Sequence, residues 1–184
     1  SLQTTLVPTD TAGSPNFGRN GIGLSGDATV AAFGGPEFNT SLGATWIYTR
    51  SGTTWTQAVA GLTGTGSGGR KGFSVALSKN GRTMVSGAIV SPSGIQIWEG
   101  SGGTWTQLGF YQGSDATAVS VEMGYAVGIS ADAQTVAFSA FSDNSNRGAA
   151  WIFVRSNNTY VQLGSKLVPT DVITANSFIG ARLS

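Results

Sequence analysis

Apolar residues recur in a fixed rhythm along this chain. Val75 and Leu77, and again Val127 and Ile129, alternate with small or polar neighbours. A period of two is that of a pleated strand with one face buried. The tight turn Lys79-Asn80-Gly81-Arg82 follows the first of these, and Asn-Gly supplies the positive φ angles that hairpin turns require. A short apolar strand comes next (Thr83-Met84-Val85-Ser86-Gly87-Ala88), then a longer loop. A third strand carries aromatic residues: Ala44-Thr45-Trp46-Ile47-Tyr48, Ile95-Gln96-Ile97-Trp98 and Ala150-Trp151-Ile152-Phe153-Val154. A second tight turn (Ser51-Gly52-Thr53, Ser101-Gly102-Gly103 or Ser156-Asn157-Asn158) leads to a fourth strand.

That strand opens on Thr54-Trp55-Thr56-Gln57, on Thr104-Trp105-Thr106-Gln107, and on the related Thr159-Tyr160-Val161-Gln162. The serines that close the first strand are Ser25, Ser78, Ser130 and Ser184, spaced by 53, 52 and 54 residues. Four antiparallel strands, here labelled a to d, in a repeating unit of this length predict the blades of a β-propeller. Leu6-Val7-Pro8-Thr9-Asp10 recurs as Leu167-Val168-Pro169-Thr170-Asp171, with Phe17 and Phe178 seven residues after each Asp. The expected organisation is all-β: a propeller segment of three four-stranded antiparallel blades, with partial blades at both ends. Residues 1–16 finish a preceding blade, 17–69, 70–121 and 122–177 form blades, and 178–184 form the first strand of another. A piece of a longer polypeptide and a self-assembling unit both fit that pattern.

Phe-Ser-Val-Ala-Leu-Ser-x-Asn-Gly-x-Thr (73–83), Val-Ser-Gly-Ala (85–88), Ile-Trp (97–98) and Gly-Gly-Thr-Trp-Thr-Gln (102–107) resemble the FG-GAP-like repeat of large surface and secreted proteins. The linking Leu-Val-Pro-Thr-Asp is similar to that repeat's connecting segment. The resemblance implies a propeller at the cell surface or outside the cell. In the integrin branch of that family some blades bind calcium through an Asp-rich loop. Here Asp143-Asn144-Ser145-Asn146-Arg147-Gly148 is the best match, but Arg147 stands where another oxygen ligand is wanted. Ca²⁺ takes about six to eight oxygens, so turn chemistry is the stronger reading and no cofactor is expected.

Charge and composition narrow the chemistry. Of 184 residues, only 10 % are charged and the net charge is +1. Lys and Arg are scattered, which argues against nucleic acid as a partner. No apolar run is long enough to insert in a bilayer. There is no His and no Cys, which removes imidazole-assisted nucleophiles, thiol chemistry and thiolate metal sites. The nine carboxylates are dispersed, mostly in turns, with no close pair in an apolar setting. The Gly-rich run Gly66-Ser67-Gly68-Gly69-Arg70 lacks the Lys-Ser/Thr ending and following helix of a phosphate loop. The repeated tryptophans read as packing between blades, with a carbohydrate platform as the alternative.

The long b–c connections are the expected ligand-facing loops, because variable loops on a rigid scaffold carry function. Their candidate residues are Glu37, Asn39, Asp143, Asn144, Asn146 and Arg147. No catalytic, cofactor or metal residue is assigned. Asn39 and Asn157 head Asn-x-Ser/Thr triplets and are candidate glycosylation sites. The resulting expectation is a non-enzymatic extracellular or surface segment acting in adhesion or as a structural scaffold. A lectin-like carbohydrate-binding propeller is the alternative, and a hydrolase or lyase ranks third. Its partners would be other blades of a longer chain or further copies of itself, with glycans or surface proteins as ligands.

Overall fold

The computed structural model describes residues 5–168 and 170, except residues 12 and 67. Three four-stranded antiparallel sheets follow one another along the chain, each a simple meander. Blade 1 contains β1 (Ile22–Leu24), β2 (Val30–Gly35), the single turn α1 (Phe38–Ser41), β3 (Ala44–Ser51) and β4 (Thr54–Gln57). Blade 2 contains β5 (Gly69–Leu77), β6 (Thr83–Val90), β7 (Gly94–Ser101) and β8 (Thr104–Tyr111). Blade 3 contains β9 (Met123–Ile129), β10 (Thr135–Ala140), the turn α2 (Asp143–Asn146), β11 (Ala149–Ser156) and β12 (Thr159–Gln162). The all-β architecture expected from the repeat is therefore present. The further strand expected at 178–184 lies outside the described residues.

Successive residues on a strand point to opposite faces, so each sheet has two unlike surfaces. The leading face of blade 2 (Val75, Met84, Trp98) packs on the trailing face of blade 1 (Ala32, Ile47). The leading face of blade 3 (Val127, Val136, Phe138, Trp151, Phe153) packs on the trailing face of blade 2 (Val85, Ile95, Ile97). Phe138 stacks on Trp151 with centroids 5.5 Å apart. Trp98 and Trp151 thus serve the packing between sheets, whereas Trp46 packs against Leu6, Phe17 and Phe38 on the outer face of blade 1. The three do not share one strand position, however. Ile47, Ile97 and Ile152 pair with Ala32, Val85 and Ala137, which aligns Trp46 with Gln96 and Trp151, and Trp98 with Tyr48 and Phe153.

Two devices set the spacing between blades. Inner strands approach so closely that a Cβ on Gly34 would lie 1.8 Å from the Gly72 carbonyl oxygen, and one on Gly87 would lie 2.0 Å from that of Gly124. The a–b turns also hook together, Gly26 N–H donating to Lys79 O at 2.8 Å and Lys79 N–H to Ala131 O at 3.1 Å. Each turn is built alike. Ser25 donates to Asp27, Ser78 to Asn80 and Ser130 to Asp132, while each serine oxygen accepts the first amide of the next strand. The Ser25 hydroxyl and the Thr29 amide and hydroxyl hold the Asp27 carboxyl down to about 2.

The two interfaces differ in polarity. Thr45, Lys71, Ser86 and Gln96 are all buried where blades 1 and 2 meet. The corresponding positions at the second interface are Ile95, Met123, Phe138 and Trp151. Thr45 and Ser86 hydroxyls lie 3.0 Å apart, but Gln96 Oε1 and Trp98 Nε1 have no hydrogen-bond partner among the described residues. Lys71 is 2 % exposed, and burial lowers its pKa from the usual lysine value of 10.5. Replacing it by the residue blade 3 uses, Lys71→Met, is expected to stabilise the fold at neutral pH by roughly 1–3 kcal/mol, since burial disfavours the charged amine. The native state binds its lysine proton less tightly than the unfolded chain, so wild-type stability rises as pH climbs from the lowered value toward 10.5. Thermal melts of both proteins at pH 7 and near pH 10 check this: the advantage of the variant should shrink at the higher pH.

Candidate functional site

The b–c and d–a connections share one side of the blades, and a repeated carboxylate clasp fixes it. Asp10, arriving on the connection before blade 1, accepts hydrogen bonds from Trp46 Nε1 (2.8 Å), Gln57 Nε2 (2.8 Å) and Gly61 N–H (2.7 Å). Asp115 does the same before blade 3, with Trp151 Nε1 (2.7 Å), Gln162 Nε2 (3.2 Å) and Lys166 N–H (2.7 Å). The glutamines of the fourth strand accept in return from Thr9 and Ser114 amides. Burial works to raise both carboxyls, but the Gly61, Gln57 and Trp46 donors outweigh it at Asp10, as do Lys166, Trp151 and Gln162 at Asp115, leaving both below their usual value. In blade 2 the acid is replaced by Gly66, and the Phe110 ring stands 3.0 Å from where its Cβ would be. Gln96 there donates to the Thr63 and Thr65 carbonyls instead.

The loops flagged from sequence occupy this side in two different ways. Glu37 forms an ion pair with Arg70 across the first blade junction at 3.1 Å and accepts from the Ser41 hydroxyl at 2.6 Å. Asp143 is fully buried, not ligand-facing: Lys166 Nζ donates to it at 2.7 Å and Thr117 N–H at 3.0 Å. Asn39, Thr40 and Ser41 all have positive φ, as do Asn144, Ser145 and Asn146, so α1 and α2 are left-handed turns. That conformation costs L-residues roughly 1–2 kcal/mol each, and asparagine tolerates it better than most. Asn39 and Asn146 are exposed, whereas Asn144 and Arg147 are half-buried. Asn157 is exposed on the opposite side, in the c–d turn of blade 3.

A cluster that sequence reading did not single out lies at the inner strands of blades 2 and 3. Phe73 on β5 meets Tyr125 on β9 with centroids 5.1 Å apart, and Tyr125 meets Phe141 at 4.6 Å. All three are half-buried. One residue past Phe141, the Ser142 hydroxyl donates to Glu122 Oε2. Glu122 lies just before β9 and Ser142 in the loop after β10, so the segments that carry Tyr125 and Phe141 are tied twice. Phe73 and Tyr125 occupy the same place in the repeat, three residues after Arg70 and Glu122, and that alignment was the available signal. On the opposite side, a polar groove of about 480 Å³ runs between blades 2 and 3, lined by Arg82, Glu99, Asp132 and Arg155 among others. Two of these residues form a two-pronged ion pair, Arg155 donating to Glu99 at 2.9 and 3.0 Å. Among the described residues, no group of three or more His, Cys, Asp or Glu could hold a metal ion.

No protein-family model matches the chain, and no curated protein sequence does. Solved structures do. Saccharomyces cerevisiae Sqt1 superposes with a TM-score of 0.55 at 18 % identity, covering 81 % of this chain and 35 % of Sqt1. A putative 6-phosphogluconolactonase from Bacteroides uniformis gives 0.58 at 14 % identity, covering 79 % of this chain and 40 % of that one. The putative 6-phosphogluconolactonase from Bacteroides fragilis gives 0.54 at 13 %, covering 85 % and 40 %. The fold is that of a β-propeller. The chain spans well under half the length of these propellers.

These relatives correct the functional expectation. Propellers that share this architecture are named as lactonases, so the assignment to a non-enzymatic adhesion or scaffold segment, or to a lectin, does not stand. The missing His and the dispersed carboxylates had put a hydrolase or lyase last. Blade packing places Glu99 and Asp132, far apart in sequence, along one groove, and a fold hosts many chemistries. No described helix is long and apolar enough to cross a membrane.

Asp115→Asn puts an amide donor against the Lys166 N–H or the Trp151 and Gln162 donors, and is expected to cost about 1–3 kcal/mol, the range for stranding a buried hydrogen-bonding group. Because the native carboxyl titrates below its unfolded value of 3.8, its contribution is present above that value and is lost as pH falls through the lowered native one. Urea titrations at pH 7 and pH 3 test both points: the difference between wild type and variant should narrow in acid.

Proposed function

We propose that the protein is a small-molecule-binding propeller whose ligand sits against Phe73, Tyr125 and Phe141 on the side of the b–c and d–a connections. The observation that supports this is the double tie between two segments, Tyr125 on Phe141 and Ser142 on Glu122. Three half-buried rings, tilted 47° and 57° to their neighbours, offer an apolar wall, and Glu122 brings a carboxylate beside it. An apolar pocket wall with a few polar groups is the usual form of a small-molecule site. The chemistry suits a ring-bearing molecule with hydroxyl groups that a carboxylate can accept from.

Sugar lactones are the first class to assay, because two propellers of this fold are named for such a substrate. In lactone hydrolysis Glu122 would take the proton of the attacking water and return it to the ring oxygen as the acyl C–O bond breaks, with Ser142 orienting the carboxylate. The finer reading of the blades as FG-GAP-like repeats rests on the sequence motifs described above.

The test is a binding and turnover screen of hydroxylated lactones and related ring compounds, followed by Tyr125→Ala and Glu122→Gln. Removing one ring face is expected to weaken binding about 3- to 10-fold, the equivalent of an aromatic contact. Glu122→Gln should abolish turnover while leaving affinity within a few-fold. Thermal melts report whether each variant keeps the fold. Binding that ignores Tyr125→Ala, or turnover that survives Glu122→Gln, would overturn the assignment.

A further inference from the structure

Four charged side chains gather at one junction of a chain in which only 10 % of residues are charged. On the side of the a–b and c–d turns, Arg82 and Glu99 of blade 2 and Asp132 and Arg155 of blade 3 line the groove of about 480 Å³. Small-molecule sites run from roughly 300 to 1,000 Å³. The junction of blades 1 and 2 has Thr29, Thr49, Asn80 and Gly100 at the same four places, none of them charged. The charges therefore belong to this groove and not to the repeat.

Two of the four cancel. Arg155 donates twice to Glu99, and its Nε donates to the Asn157 carbonyl at 3.1 Å. Its guanidinium also lies 5.9 Å from the centre of the Tyr160 ring, so the pair is a fixed wall. The other two do not cancel. Arg82 and Asp132 are both exposed and form no ion pair, with each other or with another described residue. The Ser130 hydroxyl and the Gln134 amide hold the Asp132 carboxyl below its usual value, so it is ionised at neutral pH. Both donors use Oδ1, which leaves Oδ2 available. A guanidinium and a carboxylate thus line one groove too far apart to pair. Ser101, Thr104 and Thr106 line it with them.

We propose that this groove binds a small zwitterion, an amino acid or a dipeptide, with its carboxylate on Arg82 and its ammonium on Asp132. Charge complementarity selects that class. A lone anion gains Arg82 but meets the unpaired Asp132, and a lone cation meets the reverse. A zwitterion satisfies both through charge-assisted hydrogen bonds. The site is separate from the Phe73–Tyr125–Phe141 row, which lies on the opposite side of the blades, and does not depend on it.

Isothermal titration with serine and with glycylglycine tests this, with acetate and ethylammonium as probes of a single charge. At least one zwitterion is expected to bind about tenfold or more tighter than either single-charge probe, the worth of a second contact to a charged group. The variants Arg82→Thr and Asp132→Asn use residues that blades 1 and 2 already carry at these places, so the turns are kept. Each should weaken binding about 3- to 10-fold, the worth of one such contact in a partly exposed setting. A second measurement needs neither variant: on adding the zwitterion, the amide NMR signals of Asn80, Arg82, Thr104 and Asp132 should shift. Four results would overturn the proposal: no binding by either zwitterion at tens of millimolar, equal binding of acetate or ethylammonium, affinity unchanged by either substitution, or amide shifts confined to other residues.

Discussion

Every sheet in this molecule has two apolar faces to remove from water. A single four-stranded sheet cannot do that alone, so each blade is completed by its neighbours. The glycine pairs Gly34–Gly72 and Gly87–Gly124 let the inner strands come within backbone contact. The large side chains sit farther out, where the sheets diverge and Trp98 and Trp151 fill the wedge. Small residues near the inner strands and indoles outside them are one geometric solution, repeated.

Blade 2 shows how far the solution bends. It loses the clasp acid, the clasp tryptophan and the apolar residue beside it together, and has Gly66, Gln96 and Lys71 instead. Gln96 ties the connection by donating to its carbonyls, and Phe110 fills the room the acid leaves. Acid and tryptophan are coupled because they touch in the other blades: Asp10 holds the Trp46 indole and Asp115 that of Trp151. The result is a more polar seam between blades 1 and 2 than between blades 2 and 3.

The repeat and its four strands were legible because period, turn chemistry and aromatic placement all act locally. Trp98 falls out of register with Trp46 and Trp151 for a physical reason. Residues 96 and 98 point to the same face, and an aromatic at either one fills the wedge. The clasp was half visible: the duplicated Leu-Val-Pro-Thr-Asp marked Asp10, but its partners lie 36 to 51 residues away. Asp143 looked ligand-facing because its loop is polar, and only the fold brings Lys166 to it. The Phe73–Tyr125–Phe141 row stayed hidden because its first two members read as ordinary strand residues, and the third sits in a loop of another length.

The clasp also gives the chain a direction in time. Asp115 precedes every group that holds it, and the last of them is the amide of Lys166. During synthesis a connection therefore emerges long before its anchor exists. It stays unfastened until the blade after it is complete, so the locking of the array follows the ribosome one blade behind, and the unfinished end is always the most recently made one.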